Sequence, residues 1–240
     1  MINTAPDFST PAAPGLLASV RDQNEAAIAL QAGVDILDLK NPSRGALGAL
    51  DKQTIVAIRK QAAGRCPVSA TIGDLPPHAQ DIARQTHEWA DIGIDFVKIG
   101  FFDGSYLESC LGALIPLTQK AHLIAVLFAD RFNDSEGVMT LLACAGFAGV
   151  MLDTADKTSG GVRSLWKDDK IAAFVAQARE HKLISGVAGS LGRDDIAPLC
   201  AIKPDYLGFR TALCENQKRT GALSAEAVTQ VQELIRRSQK

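Results

Sequence analysis

A short apolar run followed by a longer segment of helical periodicity recurs eight times along this chain, and that alternation restricts the fold more than any other feature. The runs read as strands at 16–20, 34–40, 68–71, 95–99, 122–128, 149–153, 183–187 and 205–209. Between them, helices are expected over 22–32, 51–63, 78–90, 107–117, 136–145 and 170–181, then a shorter one starting near 193–195, and a last one over 224–237. A strand that returns through a helix favours parallel pairing over hairpins. Eight such units predict one closed (β/α)8 TIM barrel over residues 16–240, preceded by a leader at 1–15 that is loosely docked at most. The competing open Rossmann sheet would carry a GxGxxG turn after its first strand, and that turn is missing. The 240 residues suit a single barrel. Aromatics are 5% of the chain against 47% hydrophobic residues, so the core has to be built from Ala, Leu, Ile and Val.

Charge and motif spacing exclude several classes. The formal net charge is −2, no basic segment is interleaved with aromatics, and nucleic acid is not an expected partner. No apolar run approaches a membrane span, and the first residues lack a secretory pattern, which makes the cytoplasm the expected location. The five cysteines contain no CxxC pair and read as buried thiols in a reducing compartment. His78, His87, His122 and His181 have no metal-ligand spacing, and no metal or organic cofactor is expected. Apolar helix faces leave room for a homo-oligomer, although packing against the barrel explains most of them.

Chemistry is suggested by charges placed on the strands themselves. A lysine on a buried strand is costly unless its amine is paired or used. Lys40 ends the second run, Lys98 lies in the fourth and Asp153 ends the sixth, all three being alternate strands. In a closed barrel, alternate strands contribute to common interior layers, and the C-terminal strand ends form the catalytic face. Asp38 precedes Lys40 by two residues and points to the same side of the pleat. A purely structural salt-bridge cluster is the bland alternative, and it is an expensive one. Amine chemistry on a carbonyl is the sharper reading, because desolvation or a neighbouring cation yields the neutral nucleophilic amine. Residues alone leave open which lysine attacks and which exchanges a proton. Asp153 is a candidate proton shuttle, and Lys157 a candidate for holding phosphate or oxyanion charge.

The seventh and eighth units suggest phosphate. Ser185, Gly186, Gly189 and Ser190 combine close-approach glycines with hydroxyls, and Gly208 with Arg210 adds backbone access and a guanidinium. Barrel enzymes often bind phosphate there. Turn construction is the bland alternative. Asn41, Ser43 and Arg44 after the second strand and Thr71 in the third are weaker candidates for the mouth. A phosphorylated small molecule is thus the expected partner, with a non-catalytic phosphate-binding barrel as the contrasting class.

The segments LLASVRDQNEA, DILDLKNPSRGALGA, FVKIG, MLDTADK, SGVAGSLG and YLGFR, in that order across 16–237, resemble the (5-formylfuran-3-yl)methyl phosphate synthase family. The resemblance implies a carbon–oxygen lyase acting on phosphates, whose steps need no organic redox cofactor. It would condense two glyceraldehyde-3-phosphate molecules to 4-(hydroxymethyl)-2-furancarboxaldehyde phosphate, in methanofuran biosynthesis. It also implies that Lys40 is the Schiff-base lysine, Lys98 the proton acceptor, and Asp153 and Lys157 catalytic. A Schiff-base sugar-phosphate aldolase giving an acyclic product is the alternative with the same amine.

Overall fold

The computed structural model describes residues 14–102, 104–132, 136–156, 158 and 160–238. All but the last two residues of the expected leader lie outside that set, and so does Lys157. Eight parallel strands close in sequence order: β1 (Gly15–Val20), β2 (Ile36–Leu39), β3 (Val68–Thr71), β4 (Phe96–Phe101), β5 (His122–Phe128), β6 (Gly149–Asp153), β7 (Ile184–Val187) and β8 (Tyr206–Phe209). Pairing of β8 with β1, Leu17 opposite Gly208, completes the cylinder and leaves no free sheet edge. The expected TIM barrel is the fold observed.

The return segments are α1 (Gln23–Ala32), α2 (Lys52–Ala62), α3 (Ala79–Ile92), α4 (Leu107–Leu114), α5 (Glu136–Cys144), α6 (Val162–Leu165), α7 (Asp168–Glu180), α8 (Ile196–Ile202) and α9 (Ala225–Arg237). Their starts follow from capping chemistry. The Asp22 carboxylate accepts the Glu25 N–H at 2.9 Å, Asp51 accepts that of Thr54 at 2.9 Å, and the Ser224 hydroxyl that of Ala227 at 3.2 Å. Gly33, at φ 74°, ends α1 in the left-handed conformation that glycine adopts cheaply.

The helix expected to start near 193–195 does so, through a 3₁₀ turn that leads into α8. Two features depart from the sequence reading. One is α6, an additional short helix between β6 and α7. Strand β4 also runs two residues past the expected end at 99. Gly100 permits this, because a Cβ there would sit 2.6 Å from Leu47 Cδ1.

Strand alternation divides the apolar residues into two cores. The larger fills the space between barrel and helices. The smaller fills the barrel itself, with Leu17, Ile36, Phe96, Ile124, Met151 and Tyr206 among its members. Each fully buried Leu, Ile or Phe contributes about 1.5–3 kcal/mol through removal from water. Leu47 belongs to the inner core although it lies on the β2–α2 loop, so that loop plugs the mouth beside β4 and β5. What remains open faces β6, β7 and β8.

Candidate active site

The centre of the site is the carboxylate of Asp38. Its strand neighbours place Ser19 on one side and Ser69 on the other. The Ser19 hydroxyl donates to Oδ2 at 3.0 Å and the Ser69 hydroxyl to Oδ1 at 2.7 Å. Lys98 reaches across from β4 and sets its Nζ 2.5 Å from Oδ1, both side chains being essentially sealed from solvent. Burial alone would raise the Asp38 carboxyl; the ammonium of Lys98, then that of Lys40, and the hydrogen bonds from Lys98 and Ser69 outweigh it and hold the group below the usual carboxylate range. Burial drives the Lys98 amine down from its ordinary value, and the neighbouring Lys40 pushes the same way; Asp38 and Asp153 oppose this only in part. Asp38 therefore stays anionic beside an amine that gives up its proton more readily than a free lysine.

Lys40 stands one residue beyond β2. Its backbone N–H still donates to Val20 O at 3.1 Å, which keeps the residue in register with the barrel. Lys40 lines the remaining opening with Asp153, Gly189, Ser190, Gly208 and Arg210. Asp153, at the end of β6, is buried and accepts the Thr154 N–H at 2.7 Å. The loop after it is tied down by Asp130, whose carboxylate accepts the N–H groups of Ala155 at 2.7 Å and Asp156 at 2.9 Å.

The remaining candidates separate clearly. Gly189 (φ 102°) and Gly208 bring backbone close to the opening; a Cβ on Gly189 would meet Thr154 Cγ2 at 2.9 Å, and one on Gly208 would meet Met151 Cε at 2.9 Å. Gly186 makes room for Tyr206, since a Cβ there would lie 2.2 Å from the tyrosine Cζ. Ser185 is placed elsewhere. It falls on the opposite pleat face from Gly186, and its hydroxyl donates to Asp205 Oδ2 at 2.7 Å at the start of β8. Asn41 builds its loop, accepting the Ser43 N–H at 2.9 Å on its side chain, while Ser43 and Arg44 are exposed on that loop. Thr71 is buried under the same loop and donates to Gly48 O at 3.3 Å. Arg210 lines the opening, yet its guanidinium pairs with the buried Glu25 and with the carbonyls of Ser19, Arg219 and Gly221.

Sequence reasoning passed over Ser19, Ser69, Tyr206 and Arg219. The two serines had a legible signal, a hydroxyl at an inward position of an otherwise apolar strand. Tyr206 is wholly buried, and burial first, then Asp38, Asp205 and Asp153, push its phenol far up, so it remains protonated. Its ring borders a small void in the barrel floor with Ser69 and Lys98. Arg219, from the β8–α9 connection, lines the opening and has no motif that marks it. A wider groove on the outer face between α2, α3 and α4 contains none of these residues. Among the described residues no His, Cys, Asp and Glu group has metal-holding geometry, and no helix is long and apolar enough to cross a membrane.

A barrel whose mouth gathers two buried lysines around a hydrogen-bonded carboxylate has the equipment of an enzyme. The solved structures it resembles include 3-keto-L-gulonate-6-phosphate decarboxylase from Vibrio cholerae (TM-score 0.62, 11% identity, 94% of this chain and 98% of that one) and phosphoribosyl anthranilate isomerase from Thermus thermophilus (0.63, 14%, 93% and 98%); at such identities they establish the fold alone. The chain belongs to the 4-HFC-P synthase family, whose model matches residues 16–232. It is 31% identical to the (5-formylfuran-3-yl)methyl phosphate synthase of Methanothermobacter thermautotrophicus over 92% of this chain and 98% of that protein, and 30% identical to the Methanocaldococcus jannaschii enzyme of the same name over 92% and 99%. A Methylorubrum extorquens protein whose synthase name is provisional is 42% identical over 94% of this chain and 93% of its own length. The synthase names of its relatives place the chain among enzymes.

Proposed function

We propose that this chain condenses two molecules of glyceraldehyde-3-phosphate through a Schiff base on Lys40, giving (5-formylfuran-3-yl)methyl phosphate with loss of one phosphate and of water, as a step of methanofuran biosynthesis. The observation that carries the reading is the pairing, in a member of this family, of a cleft-lining Lys40 with the sealed Lys98–Asp38 couple beneath it. The division of labour follows from surroundings. Lys40 meets the cleft and can reach a carbonyl carbon; Lys98 is buried beside a carboxylate and serves as the proton acceptor.

In this scheme the Lys40 amine adds to the aldehyde, water leaves, and an iminium forms. The iminium acidifies the adjacent C–H bond, Lys98 takes that proton, and the pair of electrons becomes an enamine. The enamine carbon attacks the second aldehyde, whose alkoxide oxygen takes the proton back from Lys98 and so regenerates the base. Water then hydrolyses the iminium, which frees the Lys40 amine, and Asp153, at the edge of the same cleft, would relay protons while phosphate and water depart and the ring closes. Ionised Asp38 stabilises Lys98 in its protonated form and returns it to register after each transfer. No electron transfer is needed, which suits a site built from amines and carboxylates.

The test is incubation of purified protein with glyceraldehyde-3-phosphate, followed by product mass and furan absorbance. A furan phosphate with release of one phosphate is expected. An acyclic six-carbon product would instead make the chain a Schiff-base aldolase, and substrate binding without turnover would make it a phosphate-binding barrel.

A further inference from the structure

Two phosphorylated trioses in one cleft, the premise taken from the preceding reading, require more than one anion anchor. The close-approach backbone of Gly189 and Gly208 offers one region. Most cationic side chains described at the mouth are already engaged. Lys98 is paired with Asp38, and Lys40 is the reacting amine. Arg210 makes five hydrogen bonds, as many as a guanidinium has N–H groups, so no donor is left for a ligand.

Arg219 is different. Its neighbours 215–218 and 220 are exposed, but its own side chain turns inward and lines the cleft with Lys40 and Ser190. Two of its N–H groups reach the carbonyls of Pro42 and Gly45, the latter at 2.9 Å, which leaves three donors. Asp153 and Asp74 act on it through space. The Asp74 carboxylate is engaged by the N–H groups of Ala46 at 2.7 Å and Leu47 at 2.8 Å. The β2–α2 loop is thus gripped twice, at its N–H groups by Asp74 and at its carbonyls by Arg219. An inward-turned guanidinium with a free donor edge, beside the reacting amine, has the fork geometry that recognises a phosphate monoester.

We propose that Arg219 anchors the phosphate of a triose in this cleft, using one edge of its guanidinium for the phosphate and the other to hold the β2–α2 loop over Lys40. The residue is then a substrate-binding group that selects phosphorylated over unphosphorylated aldehydes.

The experiment compares the full-length wild type with Arg219→Ala and Arg219→Lys, measuring the rate of borohydride-trapped adduct with glyceraldehyde-3-phosphate and with unphosphorylated glyceraldehyde. Loss of a charge-assisted phosphate contact predicts a fall of about tenfold to a hundredfold for the phosphate ester in Arg219→Ala. Arg219→Lys should keep part of the rate, and added guanidinium should restore part of it in the alanine variant. Trapping of glyceraldehyde should fall less than about threefold, because that substrate makes no phosphate contact. Equal losses for both aldehydes would reduce Arg219 to a loop tie and overturn the assignment, as would no loss for either. If the wild type traps neither aldehyde, the Schiff-base reading is what has failed, and inorganic phosphate binding then decides for Arg219. Binding weakened at least tenfold by Arg219→Ala supports the anchor; unchanged binding overturns it.

Discussion

The β2–β4 side of the barrel and the β6–β8 side contain similar residue types but handle them in opposite ways. Around Asp38 every polar contact is made inside the protein: two serine hydroxyls and the Lys98 amine converge on one carboxylate, and Leu47 closes the mouth above β4 and β5. Toward the other side, Ser190 and Arg219 line a cleft that Lys40, just past β2, borders as well. The contrast teaches that burial and a neighbouring cation move the Lys98 amine toward neutrality in a dry cluster, while a second set of cationic side chains is left lining a cleft. In the proposed reaction the first would serve proton transfer and the second the phosphorylated substrate.

The largest effect expected from breaking this contrast is at the cleft. Lys40→Met should lower turnover by about 10⁴-fold or more, the scale of removing a nucleophile that acts as part of a unit, while the melting temperature stays close to wild type. Steady-state furan production together with calorimetry checks both halves. On the dry side, Asp38→Asn leaves Lys98 buried without its counter-charge and should destabilise the fold by about 3–5 kcal/mol. Urea unfolding measures this. The double substitution Asp38→Leu with Lys98→Met should recover much of that stability and none of the activity, since removing both charges also removes the desolvation cost.

A smaller change sharpens the floor between the two sides. Gly186→Ala puts a methyl group 2.2 Å from Tyr206 Cζ and should cost about 1–3 kcal/mol by overpacking; Tyr206→Leu in the same chain should relieve most of it, again read by urea unfolding.

The smallest and most diagnostic effect is in pH. Asp38 binds its proton less readily folded than unfolded, so its contribution to stability is present above the ordinary carboxylate range and is lost as pH falls through the depressed folded value. Lys98 is also depressed, so the unfolded chain binds more protons between the folded value and the ordinary 10.5, and stability gains from this group as pH rises through that window. The rate of enamine formation should show a rising limb in the same window. Lys98→Arg should abolish that limb, and a pH–rate profile of both proteins checks it.

The barrel was legible because each strand carries its own apolar run and each return helix its own period, so local pattern and global closure agree. The bounds of β3, β5 and β6 coincide with the apolar runs, whose ends are marked by polar or turn residues. Lys40, Lys98 and Asp153 were visible for a related reason: a charge inside an apolar strand stands out against its neighbours. Ser185 misled because it adjoins a glycine-rich turn, and only strand parity shows that it faces Asp205 instead of the mouth. The engagement of Arg210 with Glu25 joins residues 185 positions apart, a separation no local pattern encodes. Arg219 was invisible for the opposite reason, since a loop arginine among polar neighbours reads as a solvated charge until the fold turns it inward.

The division between the two lysines is tested most directly by borohydride reduction during turnover of glyceraldehyde-3-phosphate, with the modified peptide located by mass spectrometry. The adduct should sit on Lys40, with Lys98 unmodified. A reduced adduct on Lys98 during active furan production, or none on either lysine, would contradict the assignment of nucleophile to the cleft and proton acceptor to the sealed cluster.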